Sequence, residues 1–146
     1  MFDKKNIKDL NVALLSPRAV ASKNMIRRVQ PPLGLCCIAA GLRDKGFKNI
    51  LVYDTLIEDY EDVRELKGAK DMITYGASNE KIIEKMKEFK PDIVGISSLF
   101  SSQVSQAYAA ARAIKEYNPN TIVVFGGIHA SDKPDEVLND EPSVDF

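Results

Sequence analysis

Four short apolar runs, each separated from the next by a segment long enough to hold a helix, restrict this chain more than any other feature. They are NVALLSP (Asn11 to Pro17), NILVYD (Asn49 to Asp54), DIVGIS (Asp92 to Ser97) and TIVVFGG (Thr121 to Gly127). Runs this short and this continuously apolar suit strands buried on both faces, and such strands belong to parallel sheets whose crossovers carry helices. The intervening segments fit that role. PPLGLCCIAAGLRDKGF starts with prolines suited to a helix's first turn and ends in Lys-Gly, a stop signal. SNEKIIEKMKEF opens on Ser78 and places Ile82, Ile83, Met86 and Phe89 on one helical face. SQAYAAARAIKEYN precedes Pro119, and KPDEVLNDE is a last helical stretch. The pattern predicts a doubly wound parallel sheet with helices on both faces, and the final VDF reads as the beginning of a fifth strand. The charged stretch from Thr55 to Ala77 shows no periodicity and is expected to be an insertion or mobile loop.

A chain of 146 residues is long enough for one globular domain with its own core. Its 20 basic residues are balanced by 21 acidic ones and form no block, so neither a nucleic-acid backbone nor a membrane surface is an expected partner. The opening MFDKKNIKDL lacks the apolar core of a signal peptide, and no run approaches the roughly 20 apolar residues that span a bilayer. A cytoplasmic location is the expectation. Cys36 and Cys37 are adjacent, which disfavours a mutual disulfide and gives no metal-ligand spacing; small buried thiols are expected.

Ligands of open α/β sheets bind outside the carboxyl ends of the strands. Here those ends carry Ser16-Pro17-Arg18, Tyr53-Asp54-Thr55, the run from Ser97 to Ser102, and Gly126-Gly127-Ile128-His129-Ala130-Ser131. No end places a nucleophile beside a base in a recognisable order, and His129 is the single histidine. The first strand lacks a Gly-x-Gly-x-x-Gly turn, no phosphate-binding Gly-x-x-x-x-Gly-Lys-Ser/Thr loop is present, and a phosphorelay receiver would need acidic residues where Ser16 and Ser97 stand. What remains is a neutral mouth. Ser97, Ser98 and Ser101 offer uncharged hydroxyls, Leu99 and Phe100 offer apolar walls, and Gly126 and Gly127 let a ligand approach the backbone. Such a surface suits a large, mostly neutral ligand; plain turn chemistry is the alternative for each residue taken singly. Arg18, Arg27 and Arg28 read as a solvated loop in preference to a cover for a ligand's edge, and Asp54 reads as a cap.

GISSLFSSQVSQA, followed about one helix later by VVFGGIHAS, resembles the Ser-x-Leu and Gly-Gly pair of cobalamin-binding domains. PPLGLCCIAAGLRDKGFKNILVYDT and GGIHASDKPDEVLNDEPSVDF resemble further parts of the amino-terminal cobalamin-binding domain of the B12-dependent radical SAM family, so the likeness runs from Asn11 to Phe146. The resemblance implies a flavodoxin-like (Rossmann-like) sheet of strand order 2-1-3-4-5, the fifth strand truncated, holding cobalamin with its nucleotide tail pushed into the fold. By it, Ser97 bonds the benzimidazole, Leu99 packs beside it, and Gly126 and Gly127 line the tail's groove. Ser98, Ser101 and His129 join the cofactor-binding set; His129, which follows the fourth strand and not the first, reads as a peripheral contact to corrin amides or phosphate, or as a loop histidine bonded to backbone, in preference to a cobalt ligand. Methionine-synthase-type domains carry Asp-x-His-x-x-Gly after the first strand, whereas SPRAVASKNMIRRVQPP has no histidine, so base-off binding without a histidine ligand is implied.

The resemblance also implies that residues 1–146 are one cobalamin-binding domain at the front of a longer radical SAM protein, inert alone. With only Cys36 and Cys37, the chain lacks the Cys-x-x-x-Cys-x-x-Cys motif, so a [4Fe-4S] cluster and S-adenosylmethionine are expected only in a downstream domain in cis. An open sheet edge invites self-association. The reading of different class is a stand-alone flavodoxin-like domain for a small ligand or protein partner, without cobalamin.

Overall fold

The computed structural model describes residues 6–146. Its centre is a four-stranded, all-parallel sheet of β1 (Asn11–Ser16), β3 (Asn49–Asp54), β6 (Ile93–Ser97) and β7 (Ile122–Gly126), in the order β3-β1-β6-β7. Register follows from this: Ser16 lies beside Asp54, and Ser97 beside Gly126, so four strand ends converge on one edge. The expected order 2-1-3-4 is the order found. Beyond β7 the chain's last residues continue the sheet, the Asp145 N–H donating to the Val123 carbonyl at 2.9 Å and the Phe125 N–H to the Phe146 carbonyl at 2.8 Å.

Two helices, α3 (Asn79–Phe89) and α4 (Val104–Tyr117), cover one face. Ile82 and Met86 of α3, with Ala107, Ala110, Ala111 and Ile114 of α4, pack on Leu15, Val94, Ile96 and Val123 as the larger core cluster. The alanines of α4 let the helix sit close to the strands. Val137 of α6 (Pro134–Asp140) joins the same cluster. On the opposite face α1 (Leu33–Asp44) places Leu35 and Ala39 on Val12 and Leu14, a smaller cluster confined to β1 and β3. Side chains along β6 and β7 alternate accordingly: Val94, Ile96, Val123 and Phe125 are buried, whereas Ile93, Gly95, Ser97 and Val124 are only partly covered.

The stretch from Thr55 to Ala77 is not irregular. It contains α2 (Thr55–Glu58), β4 (Val63–Glu65) and β5 (Met72–Tyr75), and the latter two form an antiparallel sheet with β2 (Ala19–Ser22) in the order β2-β5-β4. Arg18 holds this sheet to the end of β1. It is 6% exposed, not solvated, and its guanidinium donates to Thr74 Oγ1 at 2.6 Å, to the Gly76 carbonyl and to the Asp62 carboxylate at 3.2 Å. Strand pairing between segments so far apart in sequence leaves no local period to read, which is why the stretch looked formless. The cysteines also depart from expectation. Cys36 and Cys37 are exposed, because α1 turns only its Leu35–Ala39 stripe to the sheet. Ser78 caps α3 through its hydroxyl, and Asp54 caps α2, its carboxylate accepting the Leu56 N–H at 3.0 Å. No helix among the described residues is long and apolar enough to cross a membrane.

Candidate functional site

The carboxyl ends of β1, β6 and β7 open into two adjoining cavities. One, of about 560 Å³, lies between the ends of β1 and β6, the start of α1 and Tyr75 of β5, and is lined in part by Ser16, Arg28, Gln30, Ser97, Ser98 and Gln103. The other, of about 370 Å³, runs down the half-covered face of β6 and β7 beside α1, over Gly95, Val124, Gly126, Ile38 and Leu42. Gly34, Leu35, Ser97 and Leu99 line both, so the two meet at the end of β6. The first is mixed in polarity; the second is a nearly continuous apolar slot.

Of the residues singled out in the sequence, Ser97, Ser98, Leu99, Phe100, Gly126 and Gly127 line these cavities, whereas Ser101 and His129 line neither. Ser97, the last residue of β6, carries a hydroxyl with no protein partner among the described residues and borders both cavities. Ser98 is 3% exposed, and its Oγ is buried without a partner while its backbone is fully used: its N–H donates to the Gly126 carbonyl at 2.7 Å and its carbonyl accepts the His129 N–H at 3.1 Å. A buried orphan hydroxyl is costly unless something supplies a partner. Leu99 and Phe100 stand half-exposed at the rim. Ser101, exposed on the short helical turn Ser101–Gln103, shares a 2.9 Å hydrogen bond with Nδ1 of His129. His129 is buried on α5 (Ile128–Asp132), and its Nε2 has no partner.

The two glycines differ in kind. A Cβ on Gly126 would meet nothing within 4 Å, so its missing side chain leaves the slot open. Gly127 has φ +105°, and a Cβ there would lie 2.6 Å from the Ser98 carbonyl oxygen. It lets the two loops touch, and a side chain there would disturb the loops before it met a ligand.

Around the mouth, the arginines divide. Arg18 is spent on the small sheet. Arg27 lies 4.2 Å over the Tyr60 ring, donates to the Tyr60 carbonyl at 2.7 Å and approaches Glu61 at 3.6 Å. Arg28 borders the larger cavity. Asp54 and Thr55, at the end of β3, are buried, and Asp54 Oδ2 and Thr55 Oγ1 lack partners. Burial raises the Asp54 carboxyl above its ordinary value, against the lowering effect of the Leu56 N–H and the Ser16 hydroxyl. Sequence reasoning missed Tyr75, Gln103 and the Leu33–Leu35 start of α1 as cavity walls. Tyr75 gave no signal because an antiparallel sheet that the sequence did not announce brings it there.

The arrangement can hold a large neutral ligand by its edges, with a planar apolar part in the slot; the serine–histidine contact of Ser101 with His129 involves residues that line neither cavity. Comparison with known proteins agrees with that geometry. The family model for the B12 binding domain matches residues 25–146. The chain is 35% identical over 134 residues to the cytidylyl-2-hydroxyethylphosphonate methyltransferase of Streptomyces wedmorensis, covering 92% of this chain and 25% of that protein. It is 30% identical over 132 residues to an uncharacterized methyltransferase of Pyrococcus horikoshii, covering 90% of this chain and 24% of that protein. An anaerobic magnesium-protoporphyrin IX monomethyl ester cyclase of Rubrivivax gelatinosus is 26% identical over 115 residues, which is 79% of this chain and 18% of the cyclase. The chain therefore spans about a quarter or less of the length of these curated relatives.

Proposed function

The chain belongs to the B12-binding domain family, and from that premise we propose that it is the cobalamin-holding module of a B12-dependent radical SAM enzyme, binding the cofactor base-off and without a histidine on cobalt. The observation that carries the reading is the pair of cavities joined at Ser97 and Leu99, one apolar and floored by glycine, the other walled in part by Ser98, whose buried hydroxyl lacks a partner. The residues present fit the group. The slot over Gly95 and Gly126 accepts a flat benzimidazole, the Ser97 and Ser98 hydroxyls supply uncharged hydrogen bonds to the tail, and Leu99 closes the apolar side. Ser101 holds the His129 ring behind the end of β6, where the buried Nε2 is left without a partner. When bound, cobalamin supplies the cobalt-centred chemistry of alkyl transfer; the chain's own residues bind and orient it.

Two relatives bear methyltransferase names and a third a cyclase name, which supports methyl transfer or ring formation as the parent activity. The adjacent Cys36 and Cys37 do not have the three-cysteine spacing of a cluster site, so we assign the [4Fe-4S] cluster and S-adenosylmethionine to a further domain in cis. The test is spectroscopic. The purified chain is incubated with hydroxocobalamin, reduced to cob(II)alamin and separated from free cofactor by gel filtration. Retained cofactor with a base-off absorption and paramagnetic resonance spectrum is the expected result; no retention, or a base-on spectrum, refutes the reading.

A further inference from the structure

We propose that Arg28 is the residue that recognises the single anionic group of the bound ligand, a phosphodiester, at the mouth of the larger cavity; this rests on the cobalamin reading above. Among the described residues, Arg28 is the only charged side chain lining either cavity. Every other wall is apolar, a hydroxyl, a carboxamide, or glycine or proline. A ligand site with one cation and no anion matches a ligand whose polar groups are neutral amides apart from one phosphate.

The neighbouring arginines sharpen the assignment. Arg18 and Arg27 have their guanidinium groups committed to Asp62, Thr74, Tyr60 and Glu61. The Arg28 guanidinium has no hydrogen bond or ion pair among the described residues, although its backbone is held on both sides. The buried Tyr75 hydroxyl accepts the Arg28 N–H at 3.2 Å and donates to the Arg28 carbonyl at 3.1 Å. Tyr75 is itself set by edge contact with Tyr60, 6.0 Å between ring centroids. The backbone is thus placed by the small antiparallel sheet, and the charge is left free over the cavity. A solvated loop would need no such anchor, and a guanidinium fork suits phosphate oxygens well.

The experiment is an equilibrium dialysis of cob(II)alamin and of cob(II)inamide, which lacks the nucleotide loop and its phosphate, against the full chain and its Arg28→Gln and Arg28→Lys variants. Arg28→Gln should bind cob(II)alamin about tenfold more weakly, the size of one charge-assisted contact at a partly exposed site. Its affinity for cob(II)inamide should be unchanged. Raising salt should weaken cob(II)alamin binding by the parent and by Arg28→Lys, and leave Arg28→Gln insensitive. Equal loss of both ligands would place Arg28 on the corrin's edge and overturn the phosphate assignment. Parent-like binding by Arg28→Gln, with an unchanged salt response, overturns any ligand role for this residue. If the parent chain retains neither ligand, the cobalamin reading itself falls and the inference with it. The side chain is exposed and the anchoring bonds are to backbone, so circular dichroism of both variants should match the parent.

Discussion

Adding a side chain to each of the two adjacent glycines should separate cofactor binding from folding. At Gly126 an added Cβ has open space for at least 4 Å, so Gly126→Leu should fold normally and project its side chain into the apolar slot of about 370 Å³. Forcing extra methylenes into a filled site costs about 1–3 kcal/mol, so cob(II)alamin affinity should fall about 5- to 140-fold at 1.4 kcal/mol per tenfold. Gly127→Ala is the reverse case. Its φ of +105° and the 2.6 Å approach to the Ser98 carbonyl oxygen put the whole penalty on the folded state. A residue forced into such a glycine-only region costs about 1–3 kcal/mol. At about 3 °C per kcal/mol for a domain of this size, the melting temperature should drop by about 3–9 °C. Equilibrium dialysis and thermal circular dichroism measure the two effects. A folded Gly126→Leu that binds cob(II)alamin as tightly as the parent would refute the slot as the tail's site. An unshifted melting temperature for Gly127→Ala would refute the steric account of the loop contact.

Ser98→Ala removes a buried hydroxyl that has no protein partner, so the ligand-free melting temperature should hold or rise while cob(II)alamin binding weakens about fivefold, one hydrogen bond's worth. Arg18→Met should lose about 1–3 kcal/mol in urea unfolding, because it takes the donor from the buried Thr74 hydroxyl and Gly76 carbonyl and frees the small sheet, while Asp62 keeps Arg64 at 2.8 Å. Asp54→Asn keeps an oxygen to cap α2 and removes a buried carboxyl whose folded pKa is raised by burial. A raised carboxyl pKa means that the parent loses stability as pH rises through the unfolded and then the folded value. The variant should therefore gain on the parent as pH rises to 7, with the gain vanishing below pH of about 4. Urea titrations at the two pH values check the sign.

Those effects turn on details that lie at different depths of the chain. Local sequence was enough for the central parallel sheet and its helices, though not for the small antiparallel sheet. Short, continuously apolar runs demand cover on both faces, and the Ser78, Lys-Gly and Pro119 signals mark where the covering helices start and stop. The same strand logic brought Ser97 and Gly126 to one edge, since parallel strands in register end together. Deciding among chemically similar neighbours needed the tertiary structure. Continuous apolar runs show that both faces of β6 and β7 are apolar, but α1 covers only β1 and β3, and that leaves the slot and the exposed cysteines. Three arginines in one loop look alike in sequence; pairing of β2 with β5 and β4 consumes Arg18, stacks Arg27 and leaves Arg28 free. Adjacent glycines and serines divide in the same way, Gly126 opening space while Gly127 admits a backbone, and Ser98 rather than Ser97 holding the fully buried hydroxyl. Each distinction depends on which atoms distant segments bring within about 3–4 Å, the range at which hydrogen bonds and packing act, and no local period encodes that.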